Sequence, residues 1–219
     1  TSLPDSLIYL GSPQREDVRD IFVSNKWNTL DEVPEGGAIA TGSSRRKAQL
    51  LHQRSDLHIH GLRGNMHTRL KKLDESKWDG IITAASAMHR LDRQNRISQY
   101  LDPKYFVPAG GQGALGIETV ADREDIKPIL SAILDEDTTR CCQAERIYLI
   151  QMDGSCFTPT GCWARIENGV FILTGYSASL DGKQSLNKTV QGDIVDAEKL
   201  ALELADTMIQ NGAKELISQ

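Results

Sequence analysis

No run of eighteen or more apolar residues occurs in the 219 residues, which excludes a membrane-spanning helix. The first residues, TSLPDSLIYLG, lack the basic and apolar blocks of a secretion signal. They also lack a starting methionine, as expected of a fragment or a processed product. There is no C-x-x-C pair, and no histidine stands at metal-binding spacing from Cys141, Cys142, Cys156 or Cys162. A chain of this length without a secretion signal needs no disulfides. Free thiols in a reducing cytoplasm, and no metal, are therefore expected. The phosphate-cradling pattern G-x-x-x-x-G-K-[ST] is absent as well, so GGQG at 110–113 is weak evidence for phosphate binding.

Aromatic residues are scarce where positive charge is dense. Between Ala40 and Arg96 there are twelve Lys/Arg against five acids, a local excess of seven in a chain whose net charge is −5. A basic segment in an acidic protein points to an anionic partner. That span holds one aromatic residue, Trp78, so platforms for stacking bases are missing. The acidic remainder would repel a long polyanion. No nucleic acid is expected; a small polycarboxylate or phosphate fits better.

What is present is an alternation of strand and helix. DIFVSN (20–25), AIAT (38–41), DLHIHGL (56–62) and WDGIITAA (78–85) read as strands. RRKAQLLHQR (45–54), MHTRLKKLDE (66–75) and SAMHRLDRQNRI (86–97) read as helices. This predicts an α/β unit of parallel strands with crossover helices. In such folds ligands sit beyond the C-terminal strand ends, where helices begin with unpaired N–H groups. Thr41, Gly42, Ser43 and Ser44 occupy such a place, with Arg45 and Arg46 directly after. Ser43 or Ser44 is expected to cap the helix. Arg63, Thr68 and Arg69 stand at the second such junction, and Arg90 further along the third helix. Several arginines thus converge on one cleft, and arginine clamps carboxylates bidentately. Arg93, Arg96, Lys71, Lys72 and Lys77 read as a solvated basic face.

Beyond VPAGGQGALGIE (107–118), whose glycines suggest a hinge and whose end suggests a strand, DREDIKPILSAIL (122–134) and DTTRCCQAERIYLIQM (137–152) read as helices. Residues 162–192 alternate in strand fashion, with hairpin turns at Asn168-Gly169 and Asp181-Gly182. The amphipathic stretch 196–217 is broken at Gly212. This is a small α+β domain with a three-stranded antiparallel sheet. Between the two patterns lies GSCFTPTG (154–161), a Gly/Pro loop that carries Cys156. A thiol on such a loop is open to a reagent or ligand.

These stretches together resemble the porphobilinogen deaminase (hydroxymethylbilane synthase) family. The match is carried by REDVRDIFVSN (15–25), TGSSRRKAQLL (41–51), LRGNMHTRLKKL (62–73), WDGIITAASAMHRL (78–91), PAGGQGALGIE (108–118), AERIYL (144–149) and GSCFTPTG (154–161). The resemblance implies periplasmic-binding-protein-like parallel-sheet architecture followed by the α+β domain. It implies a dipyrromethane cofactor attached through a thioether at Cys156, with Ser43, Arg45, Arg46 and Arg69 binding it. Thr41, Arg63, Arg69, Arg90, Gln112 and Gly113 would bind porphobilinogen and the polypyrrole carboxylates. Four porphobilinogen units would be added with loss of ammonia, and hydroxymethylbilane released by hydrolysis. The implied domains are 1–14 with 114–131 (remnants of domain 1), 15–113 (domain 2) and 132–219 (domain 3). The chain is expected to be a monomer lacking roughly the first ninety residues of the family pattern, its catalytic aspartate lying before Thr1. No acid in the chain is promoted in its place. Two other expectations are a polyanion-binding module without chemistry and an inactive fragment of the synthase. The family's GTSSLRR stands here as Ala40-Thr41-Gly42-Ser43-Ser44-Arg45-Arg46, which keeps both hydroxyls and both arginines.

Overall fold

The computed structural model describes residue 4 and residues 6–155 and 157–217. Strand β1 (Leu7–Gly11) pairs antiparallel with β7 (Ile117–Val120) in a two-stranded sheet. The larger sheet comprises β2 (Asp20–Val23), β3 (Ala38–Thr41), β4 (His58–Gly61), β5 (Gly80–Ala84) and β6 (Gln99–Tyr100), in the order β4-β3-β5-β2-β6. The expected parallel unit is there as β4-β3-β5. It is extended by β2, which runs antiparallel to β5, and by β6, which runs antiparallel to β2, so the sheet is mixed.

Strands β2, β3 and β5 are buried and largely apolar on both sides because helices cover both faces. Ile21, Val23, Ala40 and Ile81 pack with Leu70 and Leu73 of helix α2 (Met66–Glu75) and with Met88 of α3 (Ala85–His89). Phe22, Ile39 and Ile82 turn the other way, onto Leu50 of α1 (Ser44–Gln53) and onto Phe106. Ser43 caps α1 by accepting the Arg46 N–H, and Asn65 caps α2 by accepting that of Thr68. Helix α3 is shorter than the 86–97 pattern predicts. Asp92 takes φ 52°, and the Arg93 amide closes back on the Met88 carbonyl. Asp is among the few residues that enter this left-handed region readily.

The 122–134 pattern likewise yields only α4 (Lys127–Ser131). Pro128 sits in its first turn, where a missing N–H costs nothing, but the helix cannot run upstream through it. Helix α5 (Glu136–Gln151) is capped by Asp135. After it β8 (Thr160–Glu167), β9 (Val170–Ala178) and β10 (Ser185–Asp193) form an antiparallel sheet, followed by α6 (Ala197–Gln210) and α7 (Ala213–Ile217). No helix among the described residues is long and apolar enough to cross a membrane.

The period of two along β9 divides its labour. Phe171 and Leu173 face Ala144 and Tyr148 of α5 and Leu204 of α6. Tyr176 and Ala178 face the opposite way, onto Ala48 of α1 and Val107. The second sheet therefore seats on the same helix that begins with Arg45 and Arg46. Gly161, paired with Tyr176, allows the close approach: a Cβ there would lie 2.5 Å from the Pro108 carbonyl oxygen and 2.8 Å from Cδ of Arg45. Gly161→Ala is expected to cost about 1–3 kcal/mol through overpacking, a fall in Tm of roughly 2–10 °C for a chain of this size. Differential scanning calorimetry checks it; an unchanged Tm would mean that the two sheets are not tightly seated.

Candidate functional site

The site grows from the end of β3. Thr41 closes the strand, Gly42 passes close under the Leu62 carbonyl, and Ser43 starts α1. Arg45 and Arg46 follow in the first turn, where the macrodipole by itself disfavours cations. They are accommodated by a carboxylate from another strand. Asp20, the first residue of β2, has no solvent exposure. Its Oδ2 accepts from Nη1 of Arg45 at 2.7 Å, and its Oδ1 accepts from Nε of Arg46 at 2.8 Å. Arg45 is 3% exposed and also donates to the Val107 carbonyl at 2.5 Å. Burial alone would push the Asp20 carboxyl up, but the two guanidiniums outweigh it and hold the group below its ordinary value. Burial lowers the pKa of Arg46; Asp20 opposes this, and Arg45 and Arg69 add to it. An arginine still keeps its proton. Two cations thus share one anion, leaving a buried excess of positive charge with Arg69 within electrostatic reach.

Beside this cluster opens a cleft of about 410 Å³ lined by Thr41, Ser43, Ser44, Lys47, Arg63 and Lys72, with Gly42, Gly61 and Leu62. No acidic side chain among the described residues lines it. The structure therefore gathers Thr41, Ser43 and Arg63 at the cleft, and Arg45, Arg46 and Gln112 in the buried cluster. Gln112 donates to Asp20 Oδ1 at 3.1 Å and to the Val18 carbonyl at 2.6 Å. Its Oε1 accepts from Arg45 and Arg46 at 3.4 and 3.3 Å. Arg69 donates from Nε to the Gly64 carbonyl at 2.8 Å. Arg90 does not line the cleft; it donates to the Gly113 carbonyl at 3.1 Å, at the GGQG loop. Cys156 lies outside the described residues.

Several residues here were not foreseen. Lys72, assigned by pattern to a solvated basic face, lines the cleft, as does Lys47. Asp20 was hidden at the head of an apolar strand. Arg15 and Glu145 form a second buried ion pair, side chains 10% and 1% exposed. Arg15 donates bidentately at 2.8 and 3.1 Å, and Glu145 also accepts from the amides of Gly111 at 2.6 Å and Ala164 at 2.7 Å. A signal for Glu145 did exist: at helical spacing it falls on the buried face of α5 with Cys141 and Tyr148. No group of three or more His, Cys, Asp or Glu among the described residues is placed to hold a metal ion.

The donor set fits an acidic ligand: hydroxyls, two ammonium groups and one guanidinium, with no carboxylate among the described residues of the lining. Comparison with known proteins places the chain among relatives. Residues 1–128 match the family model described as "Porphobilinogen deaminase, dipyromethane cofactor binding domain", and 139–210 match its C-terminal domain. The porphobilinogen deaminase of Alkaliphilus metalliredigens is 39% identical over 216 residues, 98% of this chain and 68% of that protein. That of Desulfitobacterium hafniense is 40% identical over 219 residues, covering 100% and 70%. That of Chromobacterium violaceum is 41% identical over 217 residues, covering 99% and 70%. Among solved structures, a putative methionine-binding lipoprotein of Bacillus subtilis overlaps 60% of this chain and 62% of its own, at 10% identity and a TM-score of 0.41.

Removing the Asp20 charge should unseat both arginines. Asp20→Asn is expected to cost about 3–5 kcal/mol, the usual penalty for orphaning a buried partner. The folded carboxyl lies below its ordinary value, so the unfolded chain takes up the proton first. This stabilisation is complete above the unfolded pKa of about 4 and drains as pH falls through the folded value. Urea unfolding at pH 7 and near pH 3 tests this. The wild-type chain should lose more stability than Asp20→Asn between the two; equal losses would remove Asp20 from the account.

Proposed function

This chain belongs to the porphobilinogen deaminase family, and on that premise we propose that it carries a dipyrromethane on Cys156 and holds the growing, acidic pyrrole chain in the cleft beside Arg45 and Arg46. The family is one of transferases in porphyrin and haem biosynthesis. The reaction read here is the synthesis of hydroxymethylbilane: four porphobilinogen units joined with loss of ammonia. The observation that carries the reading is the shared carboxylate. Asp20 neutralises only one of two buried guanidiniums, beside a cleft with no acid of its own. Such a site is completed by an anion, and each pyrrole unit brings an acetate and a propionate.

The dipyrromethane, when bound, supplies the pyrrole end to which each new unit is joined. The chain's own residues bind and orient. Arg45 and Arg46 are aimed by Asp20, and their planar forks favour carboxylates over other anions. Thr41 and Ser43 offer hydroxyls at the cleft wall, and the first turn of α1 adds backbone N–H groups. Arg63 and Lys72 line the same cleft, and on this reading they pair with the outer carboxylates. Arg69 and Arg90 extend the same clamp, while Gln112 and Gly113 set the loop between the parts. Tethering at Cys156 would make every elongation step intramolecular, replacing a bimolecular encounter by a high effective concentration. On this reading 15–113 is the anion-binding unit and 132–219 the cofactor-bearing one, with 1–14 and 114–131 a third part. The reaction is assigned to the cytoplasm.

Intact-mass measurement with peptide mapping tests the covalent step. The purified chain is expected to carry the added mass of two condensed pyrrole units on the peptide that contains Cys156. Cys156→Ser should carry none. A wild-type thiol that stays bare after incubation with porphobilinogen and with hydroxymethylbilane would overturn the assignment.

A further inference from the structure

We propose that Glu145, acting with Arg15, is a positioning residue that holds Gln112 against the Asp20–Arg45–Arg46 cluster and so ties the second sheet to the anion-binding cleft. The proposal rests on the reading of that cleft as the seat of an acidic ligand.

Glu145 has no solvent exposure, although it stands in the middle of a helix with a solvated side available to an acid. It receives two N–H groups from Arg15, one from Gly111 and one from Ala164. These donors come from three stretches far apart in sequence: the segment before β2, the GGQG loop, and β8. Four donors use all the acceptor sites of a carboxylate. A buried ion pair is seldom better for stability than apolar residues of the same volume. What this one supplies is geometry.

That geometry converges on one peptide. Glu145 holds the amide of Gly111, and Arg15 donates from Nε to the carbonyl of Gln112 at 2.9 Å. The Gly111–Gln112 unit is thereby gripped from both ends, with Gly111 at φ 74°, a conformation suited to glycine. From there the Gln112 amide reaches Asp20 and both arginines. Its bonds to the guanidiniums are long, so a small displacement of the loop would break them. On its other side Glu145 fixes β8 at Ala164, three residues beyond the Gly161 that packs on the Arg45 stem. An unbroken series of hydrogen bonds and ion pairs thus runs from the second sheet to the arginine pair.

The test is a double-mutant cycle of Glu145→Gln and Gln112→Ala. Binding of propane-1,2,3-tricarboxylate is measured by titration calorimetry at low ionic strength, with Tm recorded for every variant. Each single change is expected to weaken binding by about 3- to 10-fold. The double variant should bind no more weakly than Gln112→Ala alone, because one change acts through the other. Wild-type affinity in Glu145→Gln, whatever its Tm, overturns the proposal; so do losses that multiply. If Glu145→Gln does not fold, Arg15→Lys takes its place in the cycle with the same expectations, since lysine cannot span both Glu145 and the Gln112 carbonyl with a fork. A wild-type chain that binds no tricarboxylate overturns the cleft reading and the proposal together. Failure of the cofactor reading alone appears separately, as a bare Cys156 in a chain that still binds the tricarboxylate.

Discussion

The arrangement depends on one carboxylate buried at the head of a strand. Asp20 sits where β2 enters the sheet, and two guanidiniums from the first turn of α1 close on it. Without it those cations would lie buried at the positive end of a helix, an arrangement that both burial and the macrodipole oppose. With it they are affordable but not neutral. The same pair of interactions fixes α1 against β2 and leaves the site short of one negative charge. On the reading proposed above, fold and affinity are coupled because a single group serves both.

Helix α1 is also where the second sheet is seated. Ala48 on its flank packs with Tyr176 and Ala178, and Gly161 comes down on the stem of Arg45. The aliphatic part of that arginine is thus a packing surface while its head is an ion-pair partner, a division common for long cationic side chains. A shift of the second sheet would be felt at the guanidinium, and the reverse. The Glu145–Arg15 pair restrains the same relation from the side of the GGQG loop.

Much of this was legible in the residues. Period and turn chemistry located the main helices, the two hairpins and the break at Gly212, because those features are decided within a few residues. The parallel run of β3, β4 and β5 was legible as well; the direction of β2 was not, since it pairs with β5 some sixty residues later and nothing local records which way it runs. The extents of α3 and α4 failed for local reasons that pattern undervalued: Asp92 in a left-handed turn and Pro128 in a first turn. The basic run Arg45-Arg46-Lys47 was readable as a candidate clamp. Its sorting was not, because Asp20 and Gln112, which draw two of the three cations inward, are distant in sequence. Lys47 was left at the cleft wall. Glu145 was the most recoverable omission, an acid on the apolar stripe of a helix.

The division of donors at the arginine pair separates what anchors the guanidiniums from what aims them. Arg45 commits Nη1 to Asp20 and Val107 and turns Nη2 toward Gln112. Arg46 commits Nε to Asp20 and turns Nη2 toward the same amide oxygen. The bonds to Asp20 are short and charge-assisted, 2.7 and 2.8 Å, whereas those to Gln112 are 3.4 and 3.3 Å and end on a neutral acceptor. Gln112 is therefore the softer partner: it keeps both guanidiniums supplied with a neutral acceptor and aimed, while Asp20 anchors them. Its own amide stays bonded to Val18 and Asp20. On the reading proposed above, a carboxylate is drawn to guanidiniums already aimed and has no need to break the ion pair, so a ligand that lengthens step by step can be held without the buried cluster rearranging.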